Sequence, residues 1–166
     1  SAVTATVAAD AATDAAGNTL AAAQSVALSV LFGSSAAQTL TGTTSADTLY
    51  GAGGNDTILG LDGNDSIMAT TGNDSIDGGA GNDAIDAGEG NNTVIGGDGN
   101  DSMTAGAGAD SFLGGAGNDA IAAGAGNDTV AGGAGADTIN LGAGTDVVKL
   151  LLASDSSATA ADTVTG

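Results

Sequence analysis

Aspartate returns at every ninth position through most of this chain. The column runs Asp47, Asp56, Asp65, Asp74, Asp83, then Asn92, then Asp101, Asp110, Asp119, Asp128, Asp137 and Asp146. Glycine stands two residues before each of them from Gly54 to Gly144, and Ser45 alone breaks that second column. Carboxylates are oxygen donors. Glycines beside them permit positive φ and tight turns, which crowd backbone carbonyls together. Six or more such oxygens form a hard donor set that suits Ca²⁺ better than Mg²⁺. Without His or Cys there is little to hold zinc.

The elements that position these oxygens follow from a third column. Two residues after each acidic position stands one large apolar side chain: Leu49, Ile58, Ile67, Ile76, Ile85, Val94, Met103, Phe112, Ile121, Val130, Ile139 and Val148. Three residues such as Thr57-Ile58-Leu59 make a minimal strand with its middle side chain on one face. One inward aliphatic per nine residues builds no core alone, but stacked units do, which is the logic of a solenoid. Two residues beyond the apolar column, Ala69, Ala87, Ala105 and Ala123 alternate with Gly60, Gly78, Gly96, Gly114 and Gly132, and Gly51 breaks the pattern at its start. That column repeats every 18 residues, so two units lie on opposite walls and together form one coil. Six coils at strand spacing predict a rod of about 29 Å.

Stacking also brings each Asp to about 5 Å from its equivalent in the next coil. Like charges in such columns repel by roughly a kcal/mol or more per neighbour. Burial of one apolar residue per unit offsets this with little margin. A divalent cation between turns removes the repulsion. The competing reading is a metal-free β-helix in which Asp only caps turns, and it leaves two acidic columns unneutralised.

Composition excludes other classes. Net charge is −19, from 20 acidic residues against the single basic Lys149. That leaves no basic footprint for nucleic acid and none for an anionic membrane surface. No apolar run approaches the ~20 residues of a spanning helix, and no direct membrane insertion is expected. Ser1-Ala2-Val3-Thr4 carries no positive region of the ordinary secretory kind. With no His or Cys, most nucleophile–base pairs cannot be assembled, so the chain reads as a non-enzyme.

Units such as Gly79-Ala80-Gly81-Asn82-Asp83-Ala84-Ile85-Asp86-Ala87 and Gly124-Ala125-Gly126-Asn127-Asp128-Thr129-Val130-Ala131-Gly132 resemble the RTX, or haemolysin-type, calcium-binding nonapeptide. The resemblance covers residues 42–150 in twelve tandem units. It implies an all-β, right-handed parallel β-roll with Ca²⁺ between successive turns on each side, on the order of ten ions by charge balance. Carried over by position, it implies carboxylate ligands from Asp56, Asp65, Asp74, Asp83, Asp101, Asp110, Asp119, Asp128, Asp137 and Asp146, with Asn92 in the same column. It also implies carbonyl ligands two residues before each, from Gly54, Gly63, Gly72, Gly81, Gly90, Gly99, Gly108, Gly117, Gly126, Gly135 and Gly144. Four residues before, Gly79, Gly88, Gly97, Gly106, Gly115, Gly124, Gly133 and Gly142 complete the set, while Ala52, Leu61 and Thr70 hold that place in the early units. Thr43-Thr44-Ser45-Ala46-Asp47 lacks the turn glycines, so an incomplete first site is expected, and Asn92 loses a charge, so its sites should be weaker.

Residues 1–41 read as an Ala/Ser/Thr-rich capping or docking segment. Val3-Thr4-Ala5-Thr6-Val7 alternates like a strand, and Val26 to Phe32 places Val26, Leu28, Val30 and Phe32 on one face. Leu20, Ala23, Ala27 and Leu31 fit a helix nearly as well. Val147 to Leu152 reads as a closing strand, and residues 151–166 as a tail that resembles the family's uncleaved type I secretion signal, which would engage a type I export machinery. Two functions compete. In one, a secreted protein folds on extracellular Ca²⁺ and assembles into a homopolymer: a filament, biofilm matrix or surface layer. In the other it is the calcium-triggered folding module of a larger exported enzyme, toxin or adhesin. A third, ice binding, rests on the hydroxyl column Thr57, Ser75, Thr93, Ser111, Thr129.

Overall fold

The computed structural model describes residues 30–149 and 161–166. The expectations for residues 3–7, for residues 26–29 and for Leu150 to Leu152 lie outside the described residues. Within them the fold is all-β and parallel, with no helix. One wall is built from β1 (Val30–Phe32), β3 (Thr48–Tyr50), β5 (Ser66–Met68), β7 (Ala84–Asp86), β9 (Ser102–Thr104), β11 (Ala120–Ala122), β14 (Thr138–Asn140) and β17 (Thr163–Thr165), hydrogen-bonded in that order. The other stacks β2 (Thr39–Thr41), β4 (Thr57–Asp62), β6 (Ser75–Ala80), β8 (Thr93–Asp98), β10 (Ser111–Ala116), β13 (Thr129–Ala134) and β16 (Val147–Val148). Short strands β12 (Ala125–Gly126) and β15 (Ala143–Gly144) pair in the turns. The chain alternates between walls to form a β-solenoid of about seven turns.

Register follows the 18-residue period. Ile67 pairs with Ile85, Ile85 with Met103 and Met103 with Ile121 on one wall. Ile58, Ile76, Val94 and Phe112 stack in the same way on the other. These side chains meet in a narrow core with exposures of 3% or less, closed by Ala69, Ala87 and Ala123. Each strand offers this core one residue, so burial accumulates only through stacking.

The Ala/Gly alternation has a steric cause. Gly78 lies five residues before Asp83, and a Cβ there would stand 2.5 Å from the Asp83 Oδ2 and 2.6 Å from the Gly96 carbonyl oxygen. Its counterparts Gly60, Gly96 and Gly114 are closed off in the same way. On the opposite wall Ala fits that place and fills the core.

The ladder runs beyond the twelve units at both ends. β1 pairs with β3 and β2 with β4, so residues before 42 already form coil. Leu31, rather than Val30 or Phe32, turns toward the core. Phe32 is exposed and stacks on Tyr50. At the other end β17 pairs with β14, so Thr163–Thr165 adds a rung.

Candidate metal centre

Each acidic residue of the column precedes a strand by one position, where the chain leaves the glycine turn. There its backbone N–H faces the next coil, while its side chain faces the coil before. The N–H of Asp47 donates to Asp65 Oδ1 at 2.8 Å, and Asp65, Asp83, Asp101 and Asp119 repeat this with the next coil at 2.8–2.9 Å. Asp56, Asp74, Asn92, Asp110 and Asp128 form the second such chain at 2.7–3.0 Å. From Asp56 to Asp146, one side-chain oxygen of each rung is thereby used to hold the coil before it.

The other oxygen is left over. Oδ2 of Asp56, Asp65, Asp74, Asp83, Asp101, Asp110, Asp119 and Asp128 is buried and accepts no hydrogen bond from the protein. These residues are about 2% exposed or less. A buried carboxylate oxygen without a donor is costly unless a cation or a proton meets it.

Electrostatics point the same way. Burial first, then neighbouring carboxylates, raise the Asp65 and Asp74 carboxyls, against the stabilising backbone N–H of the preceding rung. Asp101 and Asp110 are raised for the same leading reason. Asp83 is pushed up to about 6 by burial, with Asp101, Asp65 and Asp77 adding repulsion. Burial likewise pushes Asp119 up to about 6, with Asp101 and Asp137 adding repulsion. These groups resist carrying charge in a metal-free roll.

The turn glycines hold the backbone that the resemblance requires. All eleven at two residues before the column, from Gly54 to Gly144, have positive φ. At four before, Gly79, Gly88, Gly97, Gly115, Gly124, Gly133 and Gly142 share it, and Gly106 does not. Ala52, Leu61 and Thr70 adopt the same left-handed conformation with φ of 76–81°, despite their side chains. Among the described residues no three acidic side chains gather into a carboxylate-only cage. A cation here would therefore draw on one or two carboxylates and on backbone carbonyls, and the residues present fit that oxygen-rich chemistry.

Two rungs are satisfied differently. Asp47 Oδ2 accepts from the Thr43 N–H and from Thr43 Oγ1. Asn92 turns its Nδ2 to the carbonyls of Gly88 and Gly90, at 3.3 and 3.2 Å. Acidic residues outside the column stay at the surface: Asp62, Asp86, Glu89 and Asp98 are exposed and Asp77 is half-buried.

One column member was missed in the sequence. Asp162 Oδ1 accepts the Asp137 N–H at 3.0 Å, across 25 residues instead of 18. Ala161-Asp162-Thr163-Val164-Thr165-Gly166 repeats the pattern of Ala46-Asp47-Thr48-Leu49-Tyr50-Gly51, which would have found it. Likewise Gln38 takes the aspartate's backbone role in β2's coil, donating its N–H to Asp56 Oδ1 at 3.0 Å.

Comparison with known families agrees with this geometry. The model of the RTX calcium-binding nonapeptide repeat matches four tandem copies, at residues 32–67, 59–94, 86–121 and 113–148. No curated protein matches the chain. Its repeats are of the kind that binds Ca²⁺ and is characteristic of exported proteins, and the chain belongs to the RTX calcium-binding repeat family.

Proposed function

We propose that this chain is a calcium-triggered structural module that stays unfolded in the cell and folds outside it, without catalytic activity of its own. The observation that carries this reading is the row of eight buried Oδ2 atoms with no donor. Bound Ca²⁺ would supply the positive charge that those oxygens lack. The Asp side chains contribute a buried acceptor, and Oδ1 clamps the neighbouring coil. The glycine turns bring carbonyls to the same place. Because the ligands converge only in the coiled state, binding free energy becomes folding free energy. At submicromolar Ca²⁺ the columns repel and the chain remains threadable through a type I exporter, whereas millimolar Ca²⁺ drives coiling. Circular dichroism in chelator, and again after millimolar Ca²⁺, tests it: β-sheet signal should appear only with the metal.

The finer reading is that folded rolls assemble into a homopolymer, as a filament, biofilm matrix or surface layer. It is supported by the terminal strands: among the described residues β16 and β17 each have a ladder partner on one side. Such edges add strands readily, and head-to-tail addition does not close. Negative-stain electron microscopy with and without Ca²⁺ separates the readings. Filaments or sheets with calcium favour assembly, and dispersed particles favour the folding module of a larger exported protein.

A further inference from the structure

Asn92 interrupts one of the two acidic columns at its middle, between Asp74 and Asp110. Its Oδ1 keeps the clamp role, accepting the Asp74 N–H at 3.0 Å, and its own N–H donates to Asp110 Oδ1 at 2.7 Å. The second side-chain atom differs. Where an aspartate would put Oδ2, Asn92 puts an amide nitrogen that donates to the carbonyls of Gly88 and Gly90. These carbonyls stand four and two residues before it, in the two places from which the family draws its backbone ligands. The side chain is 2% exposed, so water does not compete for it.

We infer that Asn92 is a built-in substitute for calcium: its amide N–H groups satisfy the Gly88 and Gly90 carbonyls from inside the turn, and this rung takes no ion of its own. The inference rests on the calcium reading above. An amide nitrogen brings donors without net charge, so the rung needs no counter-ion and adds nothing to the repulsion along its column. The first rung of the other wall reaches the same end by another route. There the Thr43 N–H and hydroxyl approach the Asp47 Oδ2. Each wall thus holds one rung whose polar groups are met by protein donors, and on Asn92's wall that rung divides the ion sites into a stretch on either side.

Native mass spectrometry of the calcium-saturated chain counts the ions, with circular dichroism confirming that each variant coils. Asn92→Asp restores an acceptor facing the two carbonyls, and it should hold at least one ion more than the unaltered chain. Asp110→Asn, one coil on, should hold at least one fewer. An unchanged count in Asn92→Asp, beside a reduced count in Asp110→Asn, overturns the role of Asn92 while leaving the calcium column intact. An unchanged count in Asp110→Asn overturns the calcium column itself. Should Asn92→Asp fail to coil, Asp110→Asn/Asn92→Asp, which moves the amide by one coil, must match the ion count of the unaltered chain, and a lower count overturns the inference.

Discussion

The backbone N–H of Asp83 is bonded to Oδ1 of Asp101 at 2.9 Å, while Oδ2 of that same Asp101 lies buried with no donor. One side chain therefore does two jobs: it staples its coil to the one before, and it holds out an oxygen that the protein does not satisfy. Repeated along both walls, this would, under the proposed function, divide the stability of the roll between protein hydrogen bonds and a bound cation.

Removing Asp101 should cost both. Asp101→Ala is expected to raise the Ca²⁺ concentration at the folding midpoint several-fold and to reduce cooperativity. Asp62, exposed on the surface, should tolerate alanine with a change within about 0.5 kcal/mol. Calcium titrations followed by circular dichroism compare the two. Equal shifts would show that the column is not the ligand set.

Acid should act on the metal-free roll as a weak substitute for calcium. Burial raises the Asp83 and Asp119 carboxyls to about 6 in the coil, above the ordinary carboxylate value of 3.8. Between those values the coiled state binds more protons than the unfolded chain. Their contribution is therefore present below pH about 4 and is lost as pH rises through about 6. In chelator, β-structure should increase on acidification from pH 7 toward 5. With calcium present the same change should weaken binding, because protons compete for the same oxygens. Loss of structure on acidifying the chelated protein would contradict this account.

Leu61 occupies a position that Gly79 and Gly97 fill in the following coils, and it is held at φ of 81°. A side chain in that region costs on the order of 1–3 kcal/mol, partly offset by the extra freedom glycine has when unfolded. Leu61→Gly should therefore stabilise the calcium-bound roll by about 1 kcal/mol in denaturant titration. Gly97→Ala should destabilise it, since its Cβ would run into the Gly79 carbonyl.

Tyr50 is the one tyrosine and the chain has no tryptophan, so its emission reports a single place. Its ring stacks on Phe32 at 5.1 Å with planes 5° apart. Calcium should change Tyr50 emission together with the circular dichroism signal. Phe32→Ala should alter the emission while costing only about 0.5–1.5 kcal/mol. Emission that does not respond to calcium would mean that the β1–β3 coil forms independently of the column.

Much of this architecture was legible in sequence because each column has one physical demand. Asp must sit where a turn meets a strand, Ile or Val must point inward, and Gly must relieve a carbonyl contact. The Ala/Gly alternation disclosed the two walls because on one of them a Cβ would meet an aspartate Oδ2 and a carbonyl of the next coil, whereas on the other Ala69, Ala87 and Ala123 are buried in the core. The ends were less legible. β1 and β2 carry no turn glycine–aspartate pair, although Leu31 and Leu40 continue the nine-residue spacing back from Leu49. β17 was hidden by the 25-residue step from Asp137 to Asp162. The chemistry at Asn92 shows in the sequence only as a kept oxygen and a lost charge, since spacing does not reveal where an amide hydrogen points.

The most direct test of the account is the β-sheet circular dichroism signal of the purified chain through exhaustive chelation and stepwise return of Ca²⁺ at pH 7. The account predicts an unfolded spectrum in chelator and a cooperative gain of β-structure with Ca²⁺ that Mg²⁺ does not reproduce. A β-roll spectrum that survives chelation unchanged would contradict it, and would mean that the buried carboxylates are met by something other than calcium.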